Sequence, residues 1–176
     1  MLKKLKLIIA ELLLKAKCKN NNSLQSFNEF FSKSEYIFVI MPEKVSYLAS
    51  ASEVVRFLFG SNKDLTVIIK EDVSKMASLP ERIKIIKYNE LDYNYFGLPK
   101  KDFLNKLKIF KFELAIDLNI TDSLFLYGVI CSLNADIKVG FEKKDADLFY
   151  NLKLINTKEK PEQIYKTLID TLKMFR

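Results

Sequence analysis

The chain has 176 residues, of which 49% are hydrophobic and 29% are charged. This length and composition indicate one folded domain with a single sizeable core, and they exclude a disordered chain. The formal net charge of +7 comes almost entirely from lysine, since only positions 56, 82 and 176 are arginine. Because arginine is the side chain that most often recognises nucleic-acid bases, specific nucleic-acid binding is not expected.

The sequence contains no histidine. This excludes a histidine general base, a Ser-His or Cys-His nucleophile pair and most catalytic zinc sites. Cys18 and Cys131 lie far apart in helical patterns. They predict free thiols in a reducing compartment rather than a disulfide or a metal site. We therefore expect a location in the bacterial cytoplasm, either free or at the inner face of the membrane.

Residues 1–34 are predicted to form an N-terminal helical segment that precedes the main domain. Residues 2–19, LKKLKLIIAELLLKAKCK, are amphipathic at helical spacing and carry lysines at both ends. Charged residues interrupt the apolar run, so neither a secretory signal nor a membrane span is predicted. The helix either packs on the domain's own core, the commoner arrangement, or lies on an anionic membrane surface or a partner chain. Its apolar positions at this spacing include Leu2, Leu5, Ile8, Ile9, Leu12, Leu13 and Ala16. The apolar residues within 24–31 also follow helical spacing, so the helix is predicted to continue there.

Residues 35–176 alternate predicted strands with predicted helices. Residues 36–41, YIFVIM, form a continuous apolar run that is typical of a central strand covered on both faces. The alternation predicts a three-layer α/β/α, Rossmann-like domain with a mainly parallel sheet of about six strands. Further strands are predicted at 65–69, 83–87, around 115–116, 137–139 and 148–155, and helices at 45–59, 71–78, 100–110, after 121–123 and at 161–175.

Residues 112–141 indicate a strand, a polar turn, a helix and a second strand. A parallel return through a helix puts the turn on the carboxyl edge of the sheet, where open α/β sheets bind ligands. The turn carries four candidate ligand-binding residues, Asp117, Asn119, Asp122 and Ser123. The carboxylates suit acid–base work or Mg²⁺. Alternatively, Thr121 or Asp122 caps the helix and Asp117 meets a backbone amide or a lysine.

The loop after the first strand is the second candidate site. Residues 42–47, PEKVSY, lead into a helix whose backbone N–H groups suit a phosphate or a sugar. The loop contains no glycine, which excludes a dinucleotide-binding loop and a P-loop, so no cofactor is expected. An ordinary strand–helix turn is the alternative. The ligand-binding candidates here are Glu43, Lys44, Ser46 and Tyr47.

Two other loops carry charged or aromatic residues. Residues 142–147 mix both signs of charge, which predicts a solvated surface. Residues 89–99 are rich in aromatic and acidic side chains. They either cover a pocket, meet a partner or pack their rings over the edge of the sheet.

Two segments together resemble the N-terminal domain of glycosyltransferase family 9, the lipopolysaccharide heptosyltransferases. Residues 37–58, IFVIMPEKVSYLASASEVVRFL, are similar to the family's apolar strand, short polar loop and apolar helix. Residues 112–141 are similar to its "D-x-x-I-D-L" strand, turn ending in Ser, small-residue helix and strand ending in Gly-Phe. The resemblance spans roughly residues 35–155 and implies half of a two-domain transferase that uses a nucleotide-sugar donor.

The sequence departs from that family at positions that carry chemistry. The family's Gly-Asp pair, whose Asp is thought to act as catalytic base, falls on Ser46 and Tyr47, and Glu43 lies one helical turn too early. The family's Arg before the turn's Ser falls on Asp122, which reverses the charge. The chain ends where the family's nucleotide-binding domain is expected to begin. The resemblance therefore implies an acceptor half without its base, and the catalytic residues are unknown.

We therefore expect a family-9-like half that is not catalytic alone. It would bind a glycan, a glycolipid, a nucleotide sugar or another anionic ligand at the carboxyl edge of the sheet. The alternative is a structural or protein-interaction module, or a subunit that completes a transferase with a partner chain. An open polar pocket would favour binding. A pocket filled by the protein's own side chains, with Tyr47 and Phe141 the expected plugs, would favour the interaction module.

Overall fold

The computed structural model describes residues 2–18, 29–155, 157 and 160–175. The strands are β1 Tyr36–Ile40, β2 Asp64–Lys70, β3 Lys84–Tyr88, β4 Phe112–Asp117, β5 Ala135–Phe141 and β6 Leu152–Leu154. The α-helices are α1 Leu2–Lys17, α2 Phe30–Lys33, α3 Val45–Gly60, α4 Lys101–Lys108, α5 Leu124–Ser132 and α6 Pro161–Met174. Short 3₁₀ helices lie at Glu71–Met76, Glu90–Asp92 and Ala146–Leu148.

The six strands form one parallel sheet in the order β3-β2-β1-β4-β5-β6. This confirms the predicted Rossmann-like α/β fold, with a helix before it. The strand order reverses between β1 and β4, where Ile40 pairs with Asp117. In such sheets the carboxyl ends at this reversal form the crevice that usually holds a ligand. The candidate residues after β1 and β4 therefore flank the expected place.

Both faces of the sheet are covered by helices, as the unbroken apolar run of β1 predicts. Ile37 and Val39 of β1 point into one core, which lies beneath α3 and α6. Phe38 and Ile40 point into the other core, beneath α1, α4 and α5. All four side chains are fully buried.

Several local details differ from the sequence-based expectation. The helix predicted at 71–78 is a 3₁₀ helix, Glu71–Met76. The cap of α5 is Ser123, whose hydroxyl accepts a hydrogen bond from the Leu126 N–H, rather than the predicted Thr121 or Asp122. Most of the helical continuation predicted at 24–31 lies outside the described residues, and α2 begins at Phe30.

α1 packs on the domain through one face, but most of the apolar residues from which the helix is predicted lie on another face. Ala10 and Leu14 are buried in the core beneath α5. Leu5, Ile8 and Leu12 are more than half exposed. The helix thus packs against its own domain, as expected, but its main apolar face points away from the protein. No helix among the described residues is long and apolar enough to cross a bilayer.

The two cysteines are joined, which corrects the prediction of free thiols. Cys18, just after α1, and Cys131 on α5 form a disulfide with their Cα atoms 5.2 Å apart, within the usual range for a disulfide. The pairing could not be predicted from the sequence, because the two cysteines are 113 positions apart and only the packing of α1 on α5 brings the thiols together. Disulfides are more usual in oxidising compartments, so this pair removes one ground for the predicted cytoplasmic location.

Removing the disulfide is expected to destabilise the protein. In a Cys18→Ser/Cys131→Ser variant the unfolded chain regains the entropy that the cross-link removes, which lowers the free energy of unfolding by about 2–4 kcal/mol. Urea denaturation with and without reductant measures this. Reductant should shift the midpoint of the wild type and leave that of the double variant unchanged. An unchanged wild-type midpoint would show that the disulfide does not stabilise the fold.

Candidate functional site

Asp117 is the centre of the polar residues at the carboxyl edge. It is fully buried at the end of β4. One carboxylate oxygen accepts a hydrogen bond from the Asn119 backbone N–H at 2.8 Å. The other accepts from the Lys143 ammonium at 3.0 Å and the Tyr150 hydroxyl at 2.5 Å. The alternative in which Asp117 meets a backbone amide and a lysine is therefore confirmed, and its carboxylate is satisfied from within the protein.

Lys143 contradicts the prediction that residues 142–147 form a solvated surface. Its side chain is only 5% exposed. Besides Asp117 it donates to the carbonyl oxygen of Asn119 at 2.6 Å, and its ammonium lies 5.0 Å from the centre of the Tyr127 ring. Its neighbours Glu142 and Lys144 are exposed, as predicted. The loop after β5 thus sends one cation inward to neutralise the carboxylate at the end of β4.

The crevice between β1 and β4 is closed by direct contacts. The Glu43 backbone N–H donates to the Asn119 side-chain oxygen at 3.3 Å. The Glu43 carboxylate accepts from the hydroxyl of Tyr88 at 2.9 Å and that of Tyr93 at 3.4 Å. The loops after β1 and β4 therefore hydrogen-bond to each other where a ligand would otherwise enter.

The side chains that fill this region are not the expected plugs. Tyr88 and Tyr93 each stack on Phe125 of α5, with ring centres 4.5 and 4.4 Å apart. Phe141 is instead buried in the core beneath α6. Tyr47 is partly buried at the edge of that same core. The sequence could not separate these aromatic residues, because each lies at the end of a strand, in the loop after it or in the first turn of the helix that follows.

Burial keeps the tyrosines of this network protonated. Desolvation is the main cause that raises the pKa of Tyr88 and Tyr150 far above the usual phenol value, and the carboxylates of Glu43 and Asp117 respectively add to it. The pKa of Tyr127 is raised by the same cause and by its hydrogen bond to Asp122. These hydroxyls therefore act as hydrogen-bond donors rather than as bases.

The eight sequence-predicted site residues separate into two groups. Glu43, Asn119 and Asp117 are joined by hydrogen bonds, as described above. Lys44 and Ser46 are exposed beside α3, and the Lys44 ammonium lies 5.1 Å from the Tyr47 ring centre. Asp122 is exposed and accepts a hydrogen bond from the Tyr127 hydroxyl, and Ser123 caps α5.

A cleft of about 290 Å³ lies between α1 and the loops that follow β4 and β5. Two ion pairs tie the helix to the loop after β5, Lys15 with Asp145 at 3.2 Å and Lys144 with Glu11 at 2.8 Å. Of the predicted site residues only Asp122 lines this cleft. Sequence reasoning missed the others because four of the ten lining residues belong to α1, more than a hundred positions away from the rest. Its apolar wall comes from Leu7, Leu14, Leu124 and Phe149.

Within the described residues there is no group of three or more His, Cys, Asp or Glu side chains placed to hold a metal ion. The arrangement instead offers an apolar cleft with a few polar groups at its rim, the usual composition of a small-molecule pocket.

No family model matches the chain, and no curated protein matches it significantly in sequence. One solved structure, the glycosyl transferase family 9 from Veillonella parvula DSM 2008, aligns with a TM-score of 0.61 at 15% sequence identity. This chain has a glycosyltransferase-like fold. The alignment covers 78% of this chain and 41% of that chain, so the present protein spans less than half of its structural neighbour. At this identity the likeness shows the fold alone.

Lys143→Met is expected to destabilise the protein by about 3–5 kcal/mol, because it leaves the buried Asp117 carboxylate without its counter-charge. Adding Asp117→Asn to this variant should restore part of the loss, since both charges are then gone. Lys144→Met is the matched control, because the adjacent lysine is 61% exposed and should change the stability little. Urea denaturation compares the variants. Equal effects at the two lysines would contradict the buried ion pair.

Gly140→Ala is expected to disturb the same site from the strand side. A Cβ added at Gly140 would lie 2.5 Å from the Tyr150 ring, whose hydroxyl is held by Asp117. The ring must shift, so we expect a loss of about 1–3 kcal/mol. Gly60→Ala is the control, since nothing lies within 4 Å of its added Cβ and alanine favours a helix. Thermal unfolding of the two variants tests this. A Gly140→Ala protein as stable as wild type would contradict the close packing of Tyr150.

Proposed function

We propose that this chain is a glycosyltransferase-like binding module that is not catalytic on its own. It takes the sugar part of a glycan, a glycolipid or a nucleotide sugar in the cleft between α1 and the carboxyl edge of the sheet. One observation carries the proposal. The crevice used by most such sheets is closed by Glu43 and Asn119, while a cleft of about 290 Å³ remains open beside it.

The chemistry of the closed crevice argues against turnover. Sugar transfer from a nucleotide donor needs a base that faces the acceptor hydroxyl, between an acceptor site and a donor site. Residues 42–47, all of them described, contain one carboxylate, Glu43, and two tyrosine hydroxyls donate to it. Asp117 is also occupied, by three donors. Donors from the protein thus engage both oxygens of Asp117 and one oxygen, Oε1, of Glu43.

The lining of the cleft suits an amphipathic ligand. Leu14, Leu124 and Phe149 give apolar surface that can pack on the carbon–hydrogen face of a sugar ring or on a lipid stem. Asp122 can accept hydrogen bonds from sugar hydroxyls, and the Lys144 ammonium can meet an anionic substituent. The resemblance to heptosyltransferases makes the sugars of the lipopolysaccharide core the first class to test. A role in that biosynthesis and a cytoplasmic location are parts of the proposal.

The second candidate function is a structural or interaction module. It is favoured by the same closed crevice, since a fold that has lost its ligand site fills it with its own side chains. In that case the chain serves a partner, including a chain that would supply the rest of a transferase, and the cleft binds no sugar.

A ligand titration separates the two functions. A ligand that binds only the native state raises the unfolding midpoint, by the equivalent of about 2.7 kcal/mol at a hundredfold excess over Kd. We expect such a shift with a nucleotide sugar or a lipopolysaccharide-core sugar. It should be lost in Asp122→Asn, which keeps an acceptor for Tyr127, and retained in Asp136→Asn, an exposed carboxylate at the opposite end of β5.

Asp117 is unsuitable for this test because its loss would unfold the site rather than empty it. No shift with any sugar would reject the binding module and favour the interaction module. Release of free nucleotide from a nucleotide sugar above the buffer rate would contradict the absence of turnover.

A further inference from the structure

α1 carries an apolar stripe that faces away from the rest of the protein. Its members, called the outer stripe below, recur at spacings of three and four residues, as along one face of a helix. Their exposure ranges from 39% at Leu13 to 61% at Leu12. Isolated exposed leucines are ordinary, but a continuous apolar row marks a surface that meets something other than water. The outer stripe consists of Leu5, Ile8, Leu12 and Leu13.

The helix cannot turn to bury this stripe against its own domain. Its opposite face carries Ala10 and Leu14, which are buried against the domain. Immediately after it, Cys18 is bonded to Cys131 of α5. Rotation would break the disulfide and expose a second set of apolar side chains. Within residues 2–18, 29–155, 157 and 160–175, the domain therefore offers the outer stripe no surface to pack against.

The charges around the stripe indicate which kind of surface that is. At 3.6 residues per turn, Lys6 and Lys17 lie along one flank of the stripe and Lys15 along the other. Glu11 is the single acidic residue in residues 2–18; it lies on the cleft side and is paired with Lys144. An apolar stripe with two lysines on one flank and one, Lys15, on the other is complementary to a layer of anionic groups over an apolar interior, although Lys15 also pairs with Asp145.

A loop residue extends the same surface. Tyr95 is 71% exposed, and the Lys6 ammonium lies 3.5 Å from its ring centre. Tyrosine has an apolar ring and a polar hydroxyl, and for this reason it is enriched at the boundary between lipid and water. The exposed apolar surface thus continues from the helix to the loop 89–99.

We propose that α1 docks this protein on an anionic lipid surface. The outer stripe enters the boundary between headgroups and acyl chains, and the flanking lysines meet the headgroup phosphates. A helix of 16 residues is about 24 Å long and lies flat in this arrangement. A second copy of the chain is a poorer occupant, because face-to-face pairing of the stripes would bring the flanking lysines of the two copies together. The inference does not depend on the proposed sugar binding.

The test uses a single tryptophan as a probe, since the sequence contains none. Leu12→Trp places the probe on the outer stripe. Met174→Trp is the matched control, because Met174 is 81% exposed at the end of α6, on the other face of the sheet. We mix each variant with vesicles of phosphatidylglycerol and phosphatidylcholine in equal parts, or of phosphatidylcholine alone. Only Leu12→Trp with the anionic vesicles should show a blue shift, and high salt should reduce it.

Vesicle co-sedimentation of further variants measures how much each side chain contributes to lipid binding. Lys6→Gln/Lys17→Gln should weaken binding to the anionic vesicles roughly 25-fold, from about fivefold for each lysine near a charged surface. Ile8→Gln should weaken it more than tenfold without lowering the unfolding midpoint, because Ile8 is already exposed.

Three results would overturn the proposal: no binding to either vesicle, equal binding to both, or an equal shift in the Met174→Trp control. A dimer in light scattering that Ile8→Gln dissolves, without vesicle binding, would assign the stripe to a second copy instead. No sugar is present in these experiments, so their failure leaves the titration of the cleft unaffected.

Discussion

The buried ion pair between Asp117 and Lys143 fixes the carboxyl edge of this sheet. An unpaired charge in such a place costs several kcal/mol, so each group that satisfies Asp117 is held firmly. Lys143 joins the end of β5 to that of β4. Asn119 extends the network to Glu43 after β1, and Glu43 in turn accepts from Tyr88 at the end of β3. One continuous set of hydrogen bonds thus crosses the middle of the sheet at the place where related folds bind ligands.

This network gives a structural purpose to residues that appear catalytic in the sequence. Two acidic residues, an asparagine and a lysine at the ends of parallel strands have the composition of an active site. Here donors from the protein engage both oxygens of Asp117 and one oxygen of Glu43, and the tyrosines have raised pKa values that keep them protonated. Polar groups saturated by one another stabilise a fold and have little capacity left for a substrate. The open cleft lies farther out, where α1 adds a second wall.

The sequence predicts the fold better than the site, and the reason is the range of the interactions. YIFVIM predicts β1 because a strand covered on both faces must be apolar throughout, and this property is local. The burial of Lys143 depends on a partner 26 positions away, and the disulfide on one 113 positions away. Periodicity correctly predicts α1 as an amphipathic helix, but it could not tell which side faces the domain. An apolar stripe is equally suited to a protein core and to lipid, and only the burial of Ala10 and Leu14 shows that the outer stripe does not face the core of this domain.

α1 connects the cleft with the outer stripe. Leu7 and Glu11 face the cleft, while Ile8 and Leu12 face outward, so neighbouring residues of one helix belong to two different surfaces. The disulfide and the ion pairs to the loop after β5 fix both surfaces relative to the sheet. A rigid helix that lies on a lipid layer would bring the cleft close to the headgroups. If both proposals hold, the ligand that would fit both surfaces is one whose sugar is attached to a lipid, because its apolar part would stay in the layer while its polar part reached the cleft.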